Sequence, residues 1–259
     1  CDWSSDVCSS DLFGDSFAEQ YSNLKDQWMQ VIADNLNQEL KCFGLSATSA
    51  DYTYQKFNNI RDDIKHNDII IICLTSINRR WFFKDYPQST TNPENQSDIV
   101  DLPHDADDVK LALQLYNKYL NHNEIYETYL YNFLYNLDYI SKQLNLHTIV
   151  LINFWDTESI LKNRKESFPH INFAIGTMQS VNIEELTKQY ITNIDLTTKD
   201  KRVNHLTKTN HMVLANKIID NIKNQIPIDL TMGFYKHWVD ENSFRDEKFV
   251  EYELFNASL

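Results

Sequence analysis

The sequence predicts an α/β fold: a three-layer α/β/α sandwich around a mostly parallel sheet of about five strands. Two runs carry most of that prediction. DIIIICL (Asp68 to Leu74) and HTIVLINFWD (His147 to Asp156) are apolar almost without interruption, as strands covered on both faces of a parallel sheet are. The third observation is what separates the strand candidates. Apolar residues recur there at helical spacing, so strands alternate with helices instead of following one another as hairpins. Four glycines and five prolines in 259 residues argue against collagen-like, linker-rich and disordered classes. The length suits one large core with an appendage.

In chain order, the first strand position is the stretch that leads into FGDSFAEQY (Phe13 to Tyr21). Residues 1–12, CDWSSDVCSSDL, resemble a translated sequencing-adapter read and are expected not to be native. Asp6, Ser9, Ser10 and Asp11 stand where a buried strand should lead into Ser16. Without this segment the formal charge moves from −13 to about −10. Cys42 and Cys73 then remain, both in apolar contexts, as core residues rather than a disulfide framework or a zinc site. With the start in doubt, the sequence does not say where in or outside the cell the protein resides.

Leu24, Trp28, Val31, Ile32 and Leu36 share one face of a first helix. LKCFG (Leu40 to Gly44) reads as the second strand, and GLSATSAD as the loop leaving its C-terminal end. Tyr54, Phe57, Ile60 and Ile64 follow helical spacing before the strand at Asp68. Residues 81–104 carry three prolines and no periodicity, which predicts an insertion or lid. From Asp105 to Leu144 the helical period returns, as two helices broken near residues 121–123. Tyr116, Tyr119, Tyr126, Tyr129, Tyr131, Tyr135 and Tyr139 have the spacing of amphipathic packing, with a sugar-stacking surface as the alternative. After the strand at His147, with Trp155 at its exit, INFAI (Ile171 to Ile175) is the last strand candidate. HLTKTNHMVLANKIIDNI (His205 to Ile222) is a loop running into a helix, with Val213, Leu214, Ile218 and Ile222 inward. The expected domain thus covers 13–223, and 224–259 form an aromatic, charged C-terminal extension.

The acidic residues are spread along the chain, which argues against nucleic acid or an anionic membrane surface as partner. No apolar run approaches the length of a membrane span.

Active sites of parallel sheets gather at the carboxyl ends of the strands, and four stretches fall there. Ser16 follows the first strand position, Ala47 lies in the loop after the second, and Asn78 follows the strand at Asp68. His205 lies in the loop before the final helix. Acyl transfer needs a nucleophile, a base within hydrogen-bond reach, and donors aimed at the tetrahedral oxygen. A serine, a histidine, an asparagine side chain and backbone N–H groups make up that set. Each also has an ordinary reading: Gly-Asp-Ser as a turn before an N-cap, Asn78 as a turn residue, and His205 as a loop or capping residue.

As an ordered set, the four stretches resemble the SGNH, or GDSL-type, hydrolase family over Phe13 to about Ile222. The first block is Gly14-Asp15-Ser16-Phe17, with Trp28 in the helix after it. The second, Gly44-Leu45-Ser46-Ala47-Thr48-Ser49, has Ala47 where the family has glycine. The third, Ser76-Ile77-Asn78-Arg79, keeps the asparagine of Gly-x-Asn-Asp and changes its neighbours. In the last block, Asp-x-x-His, the aspartate position holds Arg202 before His205. Asp200 is a candidate third member; the alternative is a Ser–His dyad with a backbone carbonyl holding the ring. His211, by its place at the helix start, matches a structural position of the family.

The resemblance implies a flavodoxin-like sheet and a serine hydrolase of carboxylic esters, with a carbohydrate O-acetyl ester as one candidate substrate. Ser16 is then the nucleophile and His205 the general base, and the N–H groups of Ser16 and Ala47 with the Asn78 side chain form the oxyanion hole. No cofactor and no metal are implied. The altered positions Ala47, Ser76, Arg79 and Arg202 motivate a second reading, a non-catalytic carbohydrate-binding or structural relative. An O-acyltransferase is the third.

Overall fold

The computed structural model describes residues 9–15, 17–18, 27–45, 48–77, 79–83, 86–91, 111, 114–115, 118–119, 123–178, 206, 208–238 and 251–255. In chain order the elements are β1 (Ser9–Phe13), α1 (Trp28–Leu36), β2 (Glu39–Cys42), α2 (Ala50–Ile60), β3 (Ile69–Leu74), β4 (Arg80–Phe83) and β5 (Tyr86–Thr91). They continue with α3 (Asn123–Leu144), β6 (His147–Ile152), α4 (Trp155–Leu161), β7 (Ile171–Phe173), α5 (Lys208–Asn224), β8 (Phe234–Trp238) and β9 (Glu251–Phe255).

Among the described residues the central sheet has five strands in the order β2-β1-β3-β6-β7, every neighbouring pair parallel. This is the flavodoxin-like order, and the three-layer sandwich is the architecture expected from the sequence. Side chains of β3 and β6 alternate between two cores. On one face Ile69, Ile71, Cys73, Ile149 and Leu151 meet Trp28 and Ile32 of α1 and Leu214, Ala215 and Ile218 of α5. On the other, Ile70, Ile72, Leu74, Val150 and Ile152 meet Phe57 of α2, Leu130, Phe133, Leu134 and Leu137 of α3, and Leu161 of α4. Burial of each large apolar side chain contributes roughly 1.5–3 kcal/mol, and β3 buries all six of its residues.

Helix ends follow the local sequence. Ser49 caps α2 by accepting the N–H of Tyr52 at 3.4 Å. Asn37 closes α1 in the left-handed region (φ 52°), donating its N–H to the carbonyls of Ala33 and Asp34. The helix at residue 123 begins where the sequence placed a break.

Several expectations change in detail. The strand expected over residues 147–156 ends at Ile152, and Trp155 and Asp156 open α4 instead. Its partner β3 stops at Leu74, and the N–H of Asn153 donates to the Leu74 carbonyl (2.8 Å) as the last rung available. Inside the aperiodic segment 81–104 lies the antiparallel hairpin β4–β5, with a register shift between Trp81 and Phe83. Of the tyrosines read as packing, Tyr126 is buried and Tyr131 reaches the Ile160 carbonyl. Tyr119 is exposed, and so are Tyr129, Tyr135 and Tyr139, because the inward stripe of α3 is supplied by Leu130, Phe133, Leu134 and Leu137. Tyr116 lies outside the described residues.

β1 starts at Ser9, inside the segment read as non-native, and takes the interior position between β2 and β3. Ser9, Ser10 and Asp11 are all buried there. The Ser9 N–H donates to Asp68 Oδ1 (2.9 Å), and the Ser10 hydroxyl bonds Gln38 Oε1. Asp11 Oδ1 finds no hydrogen-bond partner among the described residues, and burial pushes the Asp11 carboxyl up to about 6, opposed by Lys41. Beyond α5, Ile228, Leu230 and Phe234 enter the same core as α1, so the start of the C-terminal extension packs on the domain. Among the described residues, no helix is long and apolar enough to cross a membrane.

Candidate active site

β1 and β3 are neighbours from which the chain goes on to opposite sides of the sheet, to β2 after β1 and to β6 after β3. In such sheets the crevice at the carboxyl ends of those strands is the usual ligand site. Ser16, Ala47, Asn78, Asp200 and His205 lie outside the described residues, as does Arg202. The structure describes the frame on either side of the first three positions and the helix after the fourth.

Gly14 ends β1 with φ +148°, a conformation L side chains rarely adopt. A Cβ there would lie 2.6 Å from the Cβ of Cys73 and 2.7 Å from its carbonyl oxygen, so β3 closes the space a side chain would need. The next turn is fixed at both ends. Asp15, fully buried, accepts the Phe17 N–H on Oδ1 at 3.1 Å, and the Ala18 N–H donates to the Asp15 carbonyl at 2.9 Å. The indole N–H of Trp28, also fully buried, donates to the Phe17 carbonyl at 3.1 Å, which anchors the turn to α1.

The second loop is held on the first. Leu45 donates its N–H to the Gly14 carbonyl (3.1 Å), and the Thr48 hydroxyl reaches the same oxygen (3.5 Å) and the Leu45 carbonyl (2.7 Å). Both residues flanking positions 46–47 are thus tied to the end of β1. Gly44 packs backbone to backbone, since a Cβ would come within 2.2 Å of the Ala18 carbonyl oxygen. Beneath it the Cys42 thiol donates to that same carbonyl at 2.8 Å. Cys73 is buried in the core, and desolvation holds its thiol well above the ordinary range; among the described residues neither Cys42 nor Cys73 forms a disulfide.

After β3 the chain turns sharply, the Arg79 N–H donating to the Ser76 carbonyl at 3.2 Å. The Thr157 hydroxyl of α4 donates to the Thr75 carbonyl (2.9 Å) and accepts the Ile77 N–H (3.2 Å). The Ser76 hydroxyl bonds the Asp156 carboxylate. From this turn Arg79 reaches back to Asp15 Oδ2 (3.3 Å), while Asn153, at the end of β6, donates to Asp15 Oδ1 (2.8 Å). Asp15 is therefore where the ends of β1, β3 and β6 meet. Its sequence signal was its place in Gly-Asp-Ser; Asn153 gave no signal as a site residue.

Around the fourth stretch, the described residues are Leu206 and the helix α5. Leu206 is buried in the core that holds Phe17, Ala18 and Trp28, and α5 packs along α1. His211 Nδ1 lies 3.5 Å from the N–H of Trp28, at the first residue of α1.

No family model matches the chain. No curated protein matches it either. Solved structures similar in fold include one assigned to the G-D-S-L family of lipolytic proteins from Desulfitobacterium hafniense DCB-2, at 12% identity and a TM-score of 0.41, covering 82% of this chain and 97% of that one. A member of the lipolytic G-D-S-L family from Veillonella parvula DSM 2008 has 12% identity and a TM-score of 0.40, covering 84% and 98%. A carbohydrate esterase whose active site displays divergent catalytic and non-catalytic binding functions has 12% identity and a TM-score of 0.42, covering 84% and 69%.

Proposed function

We propose that the chain is a serine hydrolase of carboxylic esters, acting at the carboxyl ends of β1 and β3. The observation that carries this reading is the Gly14–Asp15 hub. The Gly14 carbonyl gathers both flanks of positions 46–47, and the Asp15 carboxylate gathers Phe17 and Arg79, which flank Ser16 and Asn78. Hydrogen bonds thus link stretches 34 and 64 residues apart in the chain, which supports a shared acyl-transfer site at this end of the sheet.

In this reading the Ser16 hydroxyl attacks the acyl carbon and His205 takes its proton. The N–H groups of Ser16 and Ala47 and the Asn78 amide receive the oxyanion, and loss of one such donor costs about 10²–10³ in rate. Collapse of the tetrahedral intermediate expels the alcohol, which takes the proton from His205. Water then hydrolyses the acyl-enzyme with His205 again as base. Asp200 is the candidate for orienting the imidazole, with a Ser–His dyad as the alternative. A carbohydrate O-acetyl ester is a candidate substrate.

A fluorophosphonate probe and p-nitrophenyl acetate test the assignment. The unmodified protein is expected to be labelled and to turn over the ester, and Ser16→Ala to lose both while its melting temperature stays close to the parent's. Equal turnover by parent and variant, or a parent that resists the probe, removes the assignment and favours a non-catalytic relative.

A further inference from the structure

Arg79 occupies a place that neither the ester chemistry nor the fold by itself explains. Its guanidinium is 3.3 Å from Asp15 Oδ2 and 3.4 Å from the Thr75 hydroxyl, and it lies over the Phe154 ring at 4.9 Å from the centroid. The Arg79 side chain is 20% exposed, whereas that of Asp15 is completely shielded. One face of the guanidinium is covered by an aromatic ring and one edge by a buried carboxylate. Breaking that contact costs more than breaking a surface ion pair, because removing one partner strands the other without compensation.

Asp15 divides its two oxygens between two tasks. Oδ1 holds the Phe17 N–H, and so the turn around position 16, together with the Asn153 amide. Oδ2 is held by Arg79. A carboxylate deprived of the guanidinium would keep only neutral donors, and rotating toward water would release the Phe17 N–H. We propose that Arg79 is a positioning residue for Ser16: acting through Asp15, it lets the loop after β3 set the conformation of the turn that ends β1. The inference rests on the esterase reading above and adds to it a coupling between the first and third loops that runs through a basic side chain.

The test compares the parent with Arg79→Met, Arg79→Lys, Asp15→Asn and the double variant Asp15→Asn/Arg79→Met, all in the full chain. Amide hydrogen exchange is read in the peptide spanning residues 13–18, alongside fluorophosphonate labelling rates and steady-state ester hydrolysis. Arg79→Met is expected to speed exchange at Phe17 and Ala18 while peptides from β3 and α2 keep the parent rate. Labelling and kcat should fall by about 10- to 100-fold with KM little changed, the cost of a nucleophile set slightly out of place. Arg79→Lys, which restores the charge without the planar stack, should recover part of both. In the Asp15→Asn background Arg79→Met should add almost nothing, because the path has already been cut.

Parent-like exchange and labelling in Arg79→Met overturn the proposal, and so does a full additive loss in the double variant. Should Arg79→Met fail to fold, the Lys variant and Asp15→Asn carry the comparison: equal, parent-like exchange in both would overturn it too. A parent that never reacts with the probe removes the esterase reading, and exchange alone then decides whether Arg79 holds the turn.

Discussion

The backbone of Gly14 carries two constraints that no other residue type meets. Its φ of +148° excludes an L side chain on conformational grounds, and the Cys73 backbone and Cβ exclude one on space. Neither neighbour is the flexible end of a side chain, so the strand itself would have to move. Gly14→Ala is therefore expected to lose about 2–5 kcal/mol of stability, the sum of backbone strain and overpacking, read from the urea midpoint. An unchanged midpoint would mean that β1 ends differently. The same residue illustrates what the sequence could show of the site. Gly-Asp-Ser announced a turn at a strand end because it is contiguous. The partners of Asp15 did not announce themselves as partners: Arg79 stood in the third block only as a departure from its pattern, Asn153 gave no signal, and they are 64 and 138 residues away. Only the sheet order brings them together.

At the scale of elements, β3 and β1 mark the extremes of legibility. IIIICL reads as a doubly covered strand because nothing but apolar burial fits it. SSDLF occupies a comparable interior position with three polar residues, so no hydrophobic pattern could reveal it. The hairpin β4–β5 was hidden for another reason: Pro87 and a polar run disguise its alternation. The polar strand has a thermodynamic consequence. Burial raises the Asp11 carboxyl from 3.8 to about 6, so between those values the unfolded chain has released a proton that the folded chain retains. Unfolding stability should therefore fall as pH rises through this window and be lower at pH 7.5 than at pH 4 as far as this group is concerned. Asp11→Val, which removes a buried carboxylate oxygen with no hydrogen-bond partner among the described residues, should gain about 1–3 kcal/mol at pH 7.5 and little at pH 4. Urea titrations of both proteins at the two pH values check this; a destabilised variant at pH 7.5 would contradict it.

For the molecule as a whole, a formal charge of −13 sets a background of self-repulsion on the packed core. Raising ionic strength from about 10 mM to about 150 mM shortens the Debye length from about 30 Å to about 8 Å, which screens repulsion across the surface more than short contacts. The melting temperature is expected to rise over that range, followed by circular dichroism in sodium chloride. A fall would show that local attractive pairs outweigh the global term. The parallel class of the sheet was legible in advance because strands and helices alternate, whereas its flavodoxin-like order was expected only from the family resemblance. The layers result from it: Trp28 and Leu214 on one side, Phe57 and Leu134 on the other.

The close seating of Gly44 on Ala18 has an architectural corollary. Two stretches of main chain in direct contact leave no room for a side chain at position 44, so substitution there cannot adjust the spacing between the segment after β2 and the turn after β1 without moving main chain. That spacing can stay constant through evolutionary drift while exposed positions change.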